Sequence, residues 1–121
     1  MKSILLVEDD PLITEIYTTK LKKEGFSVES VAQGQAALKK LKEKKFDLLV
    51  LDIVLPQLTG FEILRKIRKD EKLKQLKVLI LSNLGQKSDI EMAKELGVSR
   101  YLIKAHFTPS EVVEEIKKLL K

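Results

Sequence analysis

The sequence predicts an α/β fold, an open, doubly wound (βα)₅ domain with a five-stranded parallel sheet in the order 2-1-3-4-5. Three observations predict it. Five apolar stretches alternate with stretches whose apolar residues recur at helical spacing, the pattern of successive βα units. Two of the apolar stretches, "ILLV" and "LLVL", are unbroken, which marks strands covered by helices on both faces. The strand candidate that alternates and carries a charge in its middle, "SVESV", comes second, and the order 2-1-3-4-5 puts it at an edge. That order also sets strands one and three side by side at the switch point. Five strands are too few for a closed (βα)₈ barrel.

The elements follow in chain order. Ser3–Val7 is the first strand. Leu12, Ile13, Ile16, Tyr17 and Leu21 then mark the first helix, with Asp10 as its N-cap, Pro11 at its first position and Gly25 as its stop. Ser27–Val31 is the edge strand. Ala37, Leu38 and Leu41 mark the second helix, after Gly34. Asp47–Asp52 is the third strand, and Phe61, Leu64 and Ile67 lie on the third helix. Lys77–Ser82 is the fourth strand. The fourth helix is expected to start at a Ser88…Glu91 capping box and to stop at Gly97. Arg100–Lys104 is a short fifth strand. Thr108, Pro109 and Glu111 form the start of the last helix, whose apolar face is Val112, Val113, Ile116, Leu119 and Leu120.

Composition narrows the function classes. Of 121 residues, 44% are apolar and 34% charged, a globular balance in one domain of ordinary size. No apolar run reaches the length of a membrane span, and "MKSILLVEDD" stops at three acids too soon for a secretory signal. With no cysteine, disulfides, thiol catalysis and cysteine metal sites are excluded. A cytoplasmic location is expected. The net charge of +5 falls on helix faces where Lys and Glu are mixed, with no interleaved aromatics, so direct nucleic-acid binding is not expected.

Ligands of open α/β sheets bind beyond the carboxyl ends of the strands. Here strand one ends in Glu8-Asp9-Asp10, strand three in Asp52, strand four in Ser82-Asn83 and strand five in Lys104. The fold therefore converges carboxylates, a hydroxyl and an ammonium on one crevice. Clustered carboxylates repel unless a cation intervenes. An all-oxygen set without His or Cys suits Mg²⁺, which shares its coordination with waters and phosphate oxygens. Lys104 and Ser82 would then meet the remaining phosphoryl oxygens. Neither GxxxxGK(S/T) nor GxGxxG is present, so a nucleotide substrate is not expected. A carboxylate can itself be the nucleophile, and Asp52, alone at the end of the central strand, is the candidate.

The segments "ILLVEDDP", "DLLVLDIVLPQLTGFEIL", "VLILS" and "YLIK" resemble, in order and spacing, the receiver domains of bacterial two-component response regulators. The resemblance covers essentially the whole chain and implies a flavodoxin-like fold. It implies that Asp52 accepts a phosphoryl group from a phosphohistidine on a sensor histidine kinase or phosphotransfer protein, or from acetyl phosphate. Asp9 is implied as a direct Mg²⁺ ligand, Glu8 as one acting through water, and the Val54 carbonyl as a backbone ligand. Ser82 and Lys104 would bind the phosphoryl oxygens, while Tyr101 would change rotamer as Ser82 moves. The face built from the fourth helix, fifth strand and fifth helix would then meet a downstream protein, or a second copy in a phosphorylation-dependent homodimer. No membrane partner is implied. The chain is expected to be a single receiver domain over residues 1–121 without an output domain, catalysing only its own phosphorylation and dephosphorylation.

The sequence departs from the family pattern in three ways. Ala105 and His106 follow Lys104 where proline is usual, so a trans bond is expected, with His106 on the surface. Asn83 follows the switch hydroxyl where a small residue is common. Val54 and Leu84, two residues beyond Asp52 and Ser82, cannot orient an attacking water, so a long-lived phosphoaspartate is expected. One alternative is a Mg²⁺-dependent phosphohydrolase of the haloacid-dehalogenase kind, but Val54 stands where such enzymes carry a second Asp. The other is a receiver-like scaffold without phosphoryl traffic. A flavin binder of the same fold would need a hydroxyl- and glycine-rich loop where the acids stand.

Overall fold

Each inner strand starts where the sequence turns apolar and stops where a charge or hydroxyl appears. In the computed structural model, which describes residues 1–121, the strands are β1 (Ser3–Val7), β2 (Ser27–Val31), β3 (Leu48–Leu51), β4 (Lys77–Ser82) and β5 (Arg100–Ile103). All pair in parallel in the order β2-β1-β3-β4-β5, the expected doubly wound arrangement. Five helices connect or follow them: α1 (Pro11–Lys23), α2 (Gly34–Glu43), α3 (Gly60–Lys69), α4 (Lys87–Glu95) and α5 (Pro109–Leu119).

The period of two along each strand divides the core between two layers. Leu5, Val7, Leu49, Leu51, Val78 and Ile80 pack with residues of α2, α3 and α4. Ile4, Leu6, Leu48, Val50, Leu79 and Leu81 pack with Tyr17 and Leu21 of α1 and Val112, Val113 and Ile116 of α5. Strands β1 and β3 are buried along almost their whole length, as their unbroken apolar runs require. Glu29 of β2 lies at the sheet edge and pairs with Lys40 and Lys44, so its charge stays partly solvated.

Most helix ends follow the sequence. The Asp10 carboxylate accepts from the backbone N–H groups of Leu12 (2.9 Å) and Ile13 (3.4 Å), and Thr108 and Glu111 form the expected capping box. Gly25 takes the left-handed conformation that ends α1, with φ at 92°. The start of α4 differs. The helix begins at Lys87, and Asp89 rather than Glu91 reaches back to a backbone N–H, that of Gln86 (3.2 Å). Ser88 therefore lies inside the first turn, where its hydroxyl is not at the cap. Leu12 also differs: it sits one residue off the Ile13–Tyr17–Leu21 stripe, in the first turn, and is exposed.

Arg68 departs from the expectation that basic residues of the helices only solvate the surface. Its guanidinium is half-buried and donates to the carbonyls of Lys74, Leu76, Leu96 and Gly97 at 2.7–3.1 Å. It thereby ties the end of α3 to the end of α4 at the end of the sheet opposite the strand carboxyl ends. No helix is long and apolar enough to cross a membrane.

Candidate functional site

The same alternation that sorts the core decides which charges meet. Counting on from Leu6, Val50 and Leu102, the residues that continue the α1–α5 layer are Glu8, Asp52 and Lys104. They do meet. Lys104 Nζ donates to Glu8 Oε1 at 2.6 Å and to Asp52 Oδ2 at 2.7 Å. Both carboxylates are buried, at 4% and 6% exposure, and with Ser82 they are the buried polar side chains of the chain. The second oxygen of Asp52 accepts from the Val54 N–H at 3.0 Å, which folds the start of the β3–α3 loop over the carboxylate.

Asp9 continues the opposite alternation and is exposed, yet one oxygen from each of Glu8, Asp9 and Asp52 lies within 4.8 Å of the others. Three hard oxygen donors this close, with no nitrogen or sulfur ligand among them, suit a divalent cation of the Mg²⁺ or Mn²⁺ kind. Val54 is exposed at the rim, and its carbonyl accepts no hydrogen bond within the chain.

Burial sets the electrostatics. Removal from water pushes the Glu8 carboxyl up to about 7, with the Asp52 charge adding to the rise and Lys104 opposing it. For Lys104 burial works the other way, but hydrogen bonds to Asp52 and Glu8 outweigh it and hold the ammonium charged. One cation thus serves two buried anions, leaving the crevice short of positive charge.

Ser82 and Tyr101 are brought to one loop rather than to this ion cluster. Ser82 is fully buried and its Oγ accepts from the Leu84 N–H at 3.3 Å. The Tyr101 hydroxyl donates to the Leu84 carbonyl at 2.6 Å. The two side chains therefore hold opposite sides of the same residue. Burial, with the charges of Asp89 and Asp52, pushes the Tyr101 hydroxyl up to about 12, so it remains a donor at neutral pH. After Lys104 the chain makes a 3₁₀ turn through Ala105 and His106; both are exposed, and the chain has no cis peptide bond, as expected.

The sequence reading missed the Leu84 backbone as the point that Ser82 and Tyr101 share. Leu12, Val54 and Leu84 are each exposed, on the loops and helix end that follow β1, β3 and β4. Gly60 belongs to the segment that resembles the family, and its packing is what the sequence did not show. A Cβ there would lie 2.5 Å from the Asp52 carbonyl oxygen and 2.7 Å from Ile53 Cα. Both are backbone atoms, so Gly60→Ala forces the Asp52 segment to shift. The variant is expected to lose about 1–3 kcal/mol, the range of core overpacking. Urea unfolding checks this, and a parental midpoint would refute the tight fit.

Comparison with known proteins places this geometry. Residues 4–117 match the family described as response regulator receiver domain. The transcriptional regulatory protein GltR of Pseudomonas aeruginosa is 38% identical over 120 residues, which are 99% of this chain and 49% of that protein. The chain spans about half the length of the curated relatives it matches. Among solved structures, the chemotaxis protein CheY4 of Vibrio cholerae is 27% identical with a TM-score of 0.90, covering 98% of each chain. The Mn²⁺-bound form of the response regulator Rcp1 is 27% identical with a TM-score of 0.88, covering 98% of this chain and 93% of the other. With its sheet order, its acidic crevice and its lysine on the fifth strand's end, the chain belongs to the response regulator receiver domains.

Proposed function

We propose that Asp52 is the phosphoacceptor of a two-component phosphorelay and that Lys104, Ser82 and Tyr101 convert its phosphorylation into a change of surface. One observation carries this reading: a carboxylate buried at the end of the central strand, 2.7 Å from an ammonium and beside two further acids. Glu8, Asp9, Asp52 and the Val54 carbonyl would hold Mg²⁺, with Asp9 a direct ligand and Glu8 acting through water. When bound, the ion neutralises charge on the phosphoryl oxygens in transit.

The reaction needs little else. An Asp52 oxygen attacks phosphorus through a lone pair not used in its hydrogen bond, the P–N bond of phosphohistidine or the P–O bond of acetyl phosphate breaks, and imidazole or acetate leaves. Lys104 already bonds Asp52 Oδ2 and moves to a phosphoryl oxygen over a short distance. The Ser82 hydroxyl, turned toward another phosphoryl oxygen, gives up the Leu84 N–H. Leu84 is then released on one side, and the Tyr101 hydroxyl loses its fixed acceptor on the other. A local charge change thus biases a two-state loop. The surface of α4, β5 and α5 carries the output to a downstream protein or a second copy. A sensor histidine kinase or phosphotransfer protein supplies the phosphoryl group in the cytoplasm.

Beryllofluoride with Mg²⁺ tests the reading. Amide resonances of Ser82, Leu84, Tyr101 and Lys104 are expected to shift in the parent and to stay in place in Asp52→Asn. Identical spectra with and without the reagent would favour the scaffold alternative. The phosphoaspartate is expected to last minutes to hours in Mg²⁺, because the exposed Val54 and Leu84 side chains offer a water no hydrogen bond. Decay within seconds would contradict that role.

A further inference from the structure

The formal charge of +5 is not spread over the molecule. Residues 34–74 hold eleven Lys and Arg against six Asp and Glu, and the remaining residues balance at twelve of each. Part of this excess is used within the fold. Lys40 and Lys44 pair with Glu29, Lys74 pairs with Glu71, and Arg68 is turned onto backbone carbonyls. Lys39, Lys42, Lys45, Lys66 and Lys72 take part in no ion pair, although crowding like charges costs stability.

These five lysines line two adjoining grooves between α2 and the α3–β4 segment, of about 480 and 590 Å³, which share Lys42 and Leu73. Leu38, Leu73 and Leu76 are half-buried in the lining, with Phe46 buried beneath. Two carboxylates also line them, Glu43 and Asp70, and Asp70 already accepts from the Lys72 N–H at 2.8 Å. Because helices run antiparallel to the strands of a βα unit, the basic ends of α2 and α3 lie away from Asp52.

We propose that this α2–α3 groove docks an acidic amphipathic segment of a partner protein. Unpaired lysines around an apolar floor complement carboxylates flanking apolar side chains. Nucleic acid fits less well: Phe46 is buried under the Lys44 ammonium, 5.4 Å from its ring centroid, and offers no stacking face, while Arg65 and Arg68 are engaged with Met92 and with carbonyls. A membrane fits less well because the lysines border concave grooves rather than a flat face.

The test uses the whole chain and a fluorescein-labelled peptide of Glu and Leu at helical spacing. Controls are an all-Glu peptide of equal charge, a single-stranded oligonucleotide and phosphatidylglycerol vesicles. The amphipathic peptide is expected to bind best, to shift amide resonances within 38–46 and 66–76, and to weaken with salt. Lys42→Glu with Lys66→Glu, both exposed and checked for parental circular dichroism, should weaken it roughly tenfold. Asp52→Asn should leave the affinity unchanged. Shifts elsewhere, parental affinity in the double variant, or equal binding of the all-Glu peptide, oligonucleotide or vesicles would each overturn the proposal.

Discussion

Asp52→Asn is expected to abolish phosphoryl uptake from acetyl phosphate while leaving the protein folded and no less stable. The amide has nearly the shape of the carboxylate, and its oxygen can still accept from the Val54 N–H, so the loop over the site keeps its anchor. An amide oxygen is not a useful nucleophile toward phosphorus at neutral pH. On the stability side, the change removes one of two buried carboxylates that share a single ammonium. Lys104 keeps its bonds to Glu8 at 2.6 and 3.1 Å. Glu8 loses a repelling neighbour, so its raised pKa should fall back toward the carboxylate range. Intact mass after incubation checks the chemistry, and urea unfolding checks the stability. Phosphorylation at the parental rate in this variant would move the acceptor to another residue.

Lys104→Met is expected to be the most destabilising single change in the crevice at alkaline pH. It strips the cation from two buried carboxylates, and breaking a buried pair in this way costs about 3–5 kcal/mol. The cost depends on pH with a definite sign. Burial raises the Glu8 pKa from 4.5 to about 7, so between those values the folded state holds a proton that the unfolded state has released. Stability from this residue therefore falls as pH rises from about 4.5 to about 7, by roughly 3 kcal/mol at most. In Lys104→Met the opposing cation is gone, Glu8 titrates higher still, and the fall extends above pH 7. Glu8→Gln removes the slope. Urea midpoints of the parent and both variants at pH 5 and pH 8 measure it. A parent whose stability rises against Glu8→Gln across this window would contradict the burial argument.

Much of the fold was legible because the sheet is regular. Unbroken apolar runs and one strand with a charge in its middle indicated the order and the edge, and the acids stood where the runs stopped. What pairing in three dimensions added was the side on which each group falls. Period two sends Glu8, Asp52 and Lys104 to one layer and Asp9, Ser82 and Tyr101 to the other, so Lys104 bridges the first two while Ser82 and Tyr101 hold Leu84. The Leu84 backbone carries no side-chain signature, so its part could not be read from residue type, and Gly60 stood out as the glycine of the resembling segment but not by what it packs against. Arg68 resembled a solvated helix residue until the ends of α3 and α4 were placed beside it. Leu12 was misplaced because helical spacing does not reveal where a helix overhangs the sheet.

The measurement that bears most directly on Asp52 is chemical trapping of the acceptor. Borohydride reduces an aspartyl phosphate to homoserine, and peptide mapping then locates the altered residue. After incubation with acetyl phosphate and Mg²⁺, homoserine is predicted at position 52 alone. Homoserine at Asp9 or Asp10, or at no position despite a gain of phosphoryl mass, would contradict the assignment of this crevice as a phosphoacceptor site centred on Asp52.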